Sequence, residues 1–236
     1  MISKQEIENL NKEFSTLNPK EILLYISNYY PFSIKLSSSM GNEDQYLTHL
    51  IATEKLNINI FTIDTGRLFP ETYSVIERTR EKYNIKINVY FPEASQVEAM
   101  MTVKGPNLFY ESVFNRKLCC LVRKMEPLKR ALKGMDCWIT GLRREQSDFR
   151  ADMQLFEWNE EFNLLKVNPL INFTEDDIKN EIKLNNIPYN KLYDKNFLSI
   201  GCAPCTRAVE EGEDARAGRW WWEDTSRKEC GLHESE

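Results

Sequence analysis

The sequence predicts an α/β protein, a doubly wound, mostly parallel sheet followed by a charged C-terminal tail. Two observations carry that reading. From residue 32 onward, short runs of β-branched and aromatic residues alternate with longer helical stretches, and such alternation marks a parallel sheet covered by helices. Three of the expected strand ends also run into loops rich in Ser, Gly, Asp and Arg. Open α/β sheets bind ligands at those ends. The 236 residues, 42% hydrophobic and 28% charged, are ordinary for a globular chain with a full core.

Each element has a local reason. Ile2 to Phe14 puts Ile7, Leu10 and Phe14 on one helical face. Asn18-Pro19 opens a second helix running to Tyr29, with Asn18 as cap and Pro19 in the first turn. Strands are expected at Phe32–Leu36, Ile58–Ile63, Ile85–Phe91 and Cys137–Leu142, and helices at Glu43–Leu56, Pro70–Tyr83 and Lys117–Leu132. Thr174 with Asp177 begins a capping box, so a helix should run from there to Asn185, with Pro188 closing it. From Cys202 onward the chain is dense in charge, glycine and tryptophan. It reads as a tail over the sheet's active edge.

The net charge of −5 argues against a general nucleic-acid binder. Met1 to Glu6 lacks the apolar core of a signal peptide, and no apolar run approaches the roughly 18 residues of a membrane helix. A soluble cytoplasmic protein without nucleic-acid or membrane partners is expected. In that setting six cysteines are read as ligands or catalysts before disulfides.

Four cysteines form two clusters, Cys119-Cys120 and Cys202-Ala203-Pro204-Cys205. Neighbouring cysteines do not easily bridge each other. Four thiolates gathered by a fold ask for a soft metal centre, either structural zinc or an iron–sulfur cluster. Cys230 stands apart, where a mobile nucleophile would sit; Arg227 and Lys228 would raise its thiolate fraction, and His233 would assist. Cys137, inside an expected strand, reads as a buried small apolar residue, and His49 as a helix packing or surface residue.

The strand-end loops suit an anion. Ser37–Asp44 offers hydroxyls, backbone N–H groups and a helix dipole. It has no Walker Gly-Lys-Ser/Thr, and resembles the pyrophosphate loop of nucleotide α-hydrolases with the first glycine replaced. Asp64-Thr65-Gly66-Arg67 forms a tight turn with an arginine beside it. Arg143, Arg144, Arg150, Arg207, Arg216 and Arg219 gather around two segments of an acidic chain. Guanidinium groups bind phosphate and sulfate oxygens in bidentate fashion, so a compact polyanion is implied. Pairing of some of them with Glu145, Asp148, Glu210 and Asp214 is the plainer alternative.

Together these pieces resemble the assimilatory sulfonucleotide reductases, specifically the adenosine 5′-phosphosulfate (APS) reductases. The resemblance spans residues 32 to 234. It rests on Ser37–Asp44, Asp64–Leu68, Cys119-Cys120-x-x-Arg123-Lys124, Thr140–Arg144, Ser199–Arg207, Gly218–Trp222 and Glu229-Cys230-Gly231-Leu232-His233. It implies a fold of the adenine nucleotide α-hydrolase-like type. It also implies a [4Fe–4S] cluster on Cys119, Cys120, Cys202 and Cys205, with an electrostatic and structural role. Lys124 would link that cluster to substrate. Cys230 would attack the nucleotide's sulfur, releasing AMP and leaving an S-sulfocysteine that thioredoxin reduces to free sulfite. Ser37, Ser39, Gly41, Asp44, Asp64, Gly66 and Arg67 would hold the nucleotide, and Arg143, Arg150, Arg216 and Arg219 the phosphosulfate.

The expected organisation is N-terminal helices at 1–31, a nucleotide-binding core at 32–200 and a cluster-ligating, catalytic segment at 201–236, in a single domain. Because the chain ends six residues after Cys230, the thioredoxin is expected to be external. A homo-oligomer is possible. The runner-up is reduction of the 3′-phosphorylated nucleotide (PAPS), or of both; PAPS enzymes typically lack the two cysteine pairs. A tRNA-thiolating enzyme would need a more basic surface. A zinc-stabilised binding module fits the ligand count alone, and a plain thiol–disulfide exchanger leaves the arginines and serine loop unexplained.

Overall fold

Two N-terminal helices start where their caps place them. α1 (Lys4–Glu13) begins at Ser3 and α2 (Pro19–Tyr29) at Asn18. Each has a reciprocal capping box, Ser3 with Glu6 and Asn18 with Glu21, which satisfies orphan N–H donors of the first turn. The computed structural model describes residues 2–30, 33–147 and 150–223. Cys230 and its neighbours lie outside the described residues.

The remaining elements are β1 (Ile34–Ser37), α3 (Asn42–Thr53), β2 (Asn59–Ile63), α4 (Pro70–Tyr83), β3 (Ile87–Tyr90), α5 (Ala94–Lys104), α6 (Val113–Cys120), α7 (Glu126–Leu132), β4 (Cys137–Ile139), β5 (Phe156–Asn159), β6 (Leu164–Val167) and α8 (Glu175–Leu184). The strands form one six-stranded sheet in the order β3-β2-β1-β4-β6-β5. β1 pairs in parallel with β2 and β4, and β4 with β6, while β5 runs antiparallel to its neighbour β6. The chain moves outward from β1 through β2 to β3, then returns to β4 on β1's other side. That reversal opens a crevice past the carboxyl ends of β1 and β4.

Three differences from the sequence expectation have physical reasons. The expected helix Lys117–Leu132 is α6, a wide π-helical turn over Leu121–Met125, and α7. Helical periodicity does not distinguish these, because a π turn inserts one residue without ending the helix. α5 is absent from the expectation because its apolar residues do not form one face, and only Met100 is buried. β5 and β6 are also absent from it. Leu164–Val167 is buried throughout and so has no alternation. Its buried Lys166 instead lies opposite Glu157 of β5 and pairs with it at 3.1 Å.

The chain folds into two compact units. One comprises residues 1–62, 74–88 and 132–190, the other 63–73, 89–131 and 191 onward. The first contains the large core, built from Ile34, Leu36, Cys137, Ile139, Leu165 and Val167 of the central strands with Leu47, Ile51 and Ile178 of the helices. The second has a smaller core of Leu108, Phe109, Trp220, Met100 and three cysteines. As expected, Cys137 is fully buried, and its thiol is pushed up by that burial. His49 Nδ1 meets the Tyr83 hydroxyl at 3.0 Å. Among the described residues, no helix is long and apolar enough to cross a membrane.

Candidate active site

In the first unit, the loop after β1 is held from inside. Met40 sits in the left-handed region at φ 62°, where a glycine would cost nothing. Its N–H donates to the buried Ser38 hydroxyl at 3.2 Å. Asp44 reaches back from α3 and accepts from the Ser39 N–H at 2.6 Å and the Ser39 hydroxyl at 2.7 Å. Burial pushes the Asp44 carboxyl up to about 7, with the Ser39 bonds opposing the rise. Gly41 is the N-cap of α3 and supplies no side-chain hydrogen bond to it, and a helix N-terminus favours an anion. Ser37 faces the sheet: its hydroxyl accepts from Trp138 Nε1 at 2.7 Å.

The loop after β4 closes on the same place. A side chain at Gly141 would collide with Asp44 Oδ1 and with Glu43 Cβ at 3.0 Å, so the close approach needs glycine. Arg143 is buried and already paired, with Glu43 at 2.9 Å and Glu145 at 2.8 Å. Gln146 donates to the same Glu43 oxygen at 2.9 Å and accepts from Arg150. Arg143 and Arg150 therefore belong to one buried network that braces the crevice, and Arg143's charge is matched by carboxylates.

In the second unit, Asp64 shapes the turn after β2. Its Oδ1 accepts from the Gly66 N–H at 2.7 Å and from the Tyr73 hydroxyl at 3.0 Å. Burial, with Asp64 beside it, pushes the Tyr73 phenol up to about 12, so Tyr73 stays a donor. Gly66 has φ 71°, and a Cβ there would touch Arg123 Nη1 at 3.3 Å. Arg123 is buried and donates to the Thr65 carbonyl at 2.7 Å. Arg67 lies over the Phe109 ring at 5.2 Å and donates to Asn107 at 3.2 Å.

One cavity of this unit is lined by Arg67, Arg116, Arg123, Lys124, Trp220 and all four clustered cysteines. Arg116 is matched by the buried Glu223 carboxylate, and the positive charges of Arg67, Arg123 and Lys124 along the lining suit a compact anion. Beside it, Arg219 is buried against the Trp220 ring at 4.7 Å. Its Nε has no hydrogen-bond partner among the described residues. Arg216 is half-buried, its backbone N–H held by Asp214 at 2.8 Å. Arg207, by contrast, is taken up by Glu213 at 2.7 Å.

The fold thus brings Cys119, Cys120, Cys202 and Cys205 to one cavity across 82 residues of chain. The expected [4Fe–4S] cluster on Cys119, Cys120, Cys202 and Cys205, and the metal-binding role that went with it, is nonetheless corrected. Among the described residues, no group of three or more His, Cys, Asp or Glu side chains is placed to hold a metal ion. Burial pushes the Cys119 thiol up and that of Cys205 to about 12, outweighing Lys124 and the arginines. Cys202 Sγ shares a hydrogen bond with the Thr65 hydroxyl at 3.2 Å.

Three contributors were not assigned from sequence. Tyr73 and Arg123 carry no local signal of their long-range partners. Arg116, buried and bidentate to Glu223 at 2.8 and 3.2 Å, is 107 positions from its carboxylate.

The sheet order, the β1 crevice and the cationic cavity define an α/β nucleotide-binding enzyme of the adenine nucleotide α-hydrolase-like type. A PAPS reductase structure from Candida auris superposes with a TM-score of 0.77 at 27% identity, covering 89% of this chain and 98% of that one. Yeast FAD synthetase shares the fold alone, with a TM-score of 0.57 at 16% identity over 88% of this chain and 70% of that one. Residues 33–208 match the phosphoadenosine phosphosulfate reductase domain. An adenosine 5′-phosphosulfate reductase from Allochromatium vinosum is 48% identical over 204 residues, covering 86% of this chain and 80% of that protein. The chain belongs to the APS/PAPS reductase family, on the side of its assimilatory APS reductases.

Proposed function

We propose that this chain reduces APS to sulfite and AMP with thioredoxin as the electron donor, supplying sulfite for cysteine biosynthesis. The similarity to APS reductases along most of both chains carries the reading. The more distant identity to the PAPS reductase structure favours APS over PAPS.

The residues support a division of labour. In the first unit the N-terminus of α3 at Gly41 and the Ser39 hydroxyl would take the phosphate. Asp44 and Ser37 would act from behind, Asp44 by holding Ser39 and Ser37 through the sheet. Arg143 and Arg150 would brace the crevice. In the second unit Asp64 and Gly66 would set the turn carrying Arg67. Arg67, Lys124, Arg216 and Arg219 would offer charge to the phosphosulfate, and the buried Arg219 Nε fits such an oxygen. Preorganised cations stabilise developing negative charge without reorganising.

The Cys230 thiolate would attack the sulfur of APS. A sulfur–sulfur bond forms and the sulfur–oxygen bond to AMP breaks, its electron pair leaving on the AMP phosphate. One thioredoxin thiolate then attacks Cys230 Sγ and displaces sulfite, and the second thiol resolves the mixed disulfide. Atoms and electrons balance, with thioredoxin as the reductant. Sulfite formation from APS and from PAPS, measured side by side with reduced thioredoxin, tests this. A strong preference for APS is expected. No sulfite from either nucleotide refutes it.

A further inference from the structure

We propose that Thr140 and Asn168 form a buried pair that sets the Gly141 loop on the phosphate end of the crevice, making both side chains positioning residues for nucleotide binding; this rests on the reading of that crevice given above. Thr140 directly follows β4 and Asn168 directly follows β6. These are neighbouring parallel strands whose last residues, Ile139 and Val167, lie opposite each other. Thr140 is 2% exposed and Asn168 0%. The Thr140 hydroxyl donates to Asn168 Oδ1 at 2.5 Å. The Thr140 N–H already donates to the Val167 carbonyl at 3.0 Å, so the strand ends are joined by backbone and the side-chain bond is not needed to close the sheet.

What fixes the amide lies on its other side. Asn168 Nδ2 donates to the Gln154 carbonyl at 2.8 Å and to Glu157 Oε2 at 2.9 Å. A carbonyl and a carboxylate only accept, so the NH2 group must face them and the amide oxygen must face Thr140. Glu157 is itself held, by Lys166 at 3.1 Å and by the Gln154 N–H at 3.2 Å. A buried polar network whose members are paired in this way is rigid and specifies one arrangement.

Its consequence falls one residue further on. The Gly141 N–H donates to Asp44, and a Cβ at Gly141 would collide with Asp44 Oδ1. Asp44 in turn accepts from the Ser39 N–H at 2.6 Å and the Ser39 hydroxyl at 2.7 Å. Thr140 is bonded to Gly141, and Gly141 meets Asp44 at the limit of approach, so a shift of Thr140 has no slack to absorb it before it reaches Ser39. Neither Thr140 nor Asn168 needs to touch the nucleotide for this role.

The test is the AMP affinity of the full chain by calorimetric titration, measured beside its urea midpoint. Thr140→Val keeps the shape and removes the hydroxyl, Thr140→Ser keeps the hydroxyl, and Asn168→Leu removes the acceptor. Thr140→Val and Asn168→Leu are expected to weaken AMP binding about fivefold, the equivalent of one buried hydrogen bond. Thr140→Ser should bind AMP as the wild type does. In an Asp44→Asn background the loss caused by Thr140→Val should shrink, because residues acting in series are not additive. Unchanged AMP affinity in Thr140→Val overturns the inference whatever the urea midpoint does, since the hydroxyl then serves stability alone. Thr140→Ser falling as far as Thr140→Val overturns it too, as do losses that add in full across the Asp44 cycle. If Asn168→Leu does not fold, Thr140→Val decides alone. A wild-type chain that binds no AMP sinks the functional reading instead, so the two failures are distinguishable.

Discussion

Replacing Asp44 by asparagine should change how stability depends on pH. The Asp44 carboxyl is buried and is pushed up to about 7, against 3.8 when unfolded. Between those values the folded chain holds a proton that the unfolded chain releases, so stability is intact below pH 4 and falls as pH rises. Above pH 7 the cost levels off at about 4 kcal/mol. Between pH 5 and pH 8 the same linkage predicts a loss of about 2.5 kcal/mol. Asparagine keeps one oxygen for the Ser39 N–H and hydroxyl, which both donate to Oδ2, so the loop should survive, and any loss of the Gly141 backbone bond is the same at both pH values. Urea denaturation at pH 5 and pH 8 gives the comparison. The wild type should lose about 2.5 kcal/mol relative to Asp44→Asn over that interval, or about 5–10 °C in Tm for a chain of this size. Parallel pH profiles for the two proteins would refute the assignment of a protonated, inward-facing Asp44.

Gly66→Ala should lose roughly 1–2 kcal/mol, because an alanine is forced to φ 71° and against Arg123; an unchanged urea midpoint would mean the turn relaxes freely. Tyr73→Phe removes one donor to the buried Asp64 and should cost about 1 kcal/mol at pH 7, again by denaturation. The phenol is protonated up to about pH 12, so that cost should not vary between pH 6 and pH 9. Cys230→Ser is expected to bind AMP as the wild type does and to form no sulfite; turnover at the wild-type rate would exclude Cys230 as the nucleophile.

The chain's own order determined what depends on a few neighbouring residues. Asn18 with Glu21 and Thr174 with Asp177 cap helices because each box closes within one turn. α4 occupies the expected span from Pro70 to Tyr83, and the Ser, Gly and Arg loops follow strands as read. The ordered motifs that resemble the APS reductases were legible for the same reason, since each is a short run. Only the tertiary structure decided what depends on partners far along the chain. It turned Asp44 inward onto Ser39 and matched Arg143 with Glu43 at a separation of 100 residues. It set Arg116 against Glu223 and paired β5 antiparallel to β6. It brought four cysteines to one cavity, where among the described residues no group is placed to hold a metal ion. Residue type and spacing specify which groups a site can draw on. Where each points, and whether a neighbour has already taken its charge, is set by packing between segments that the local pattern does not encode.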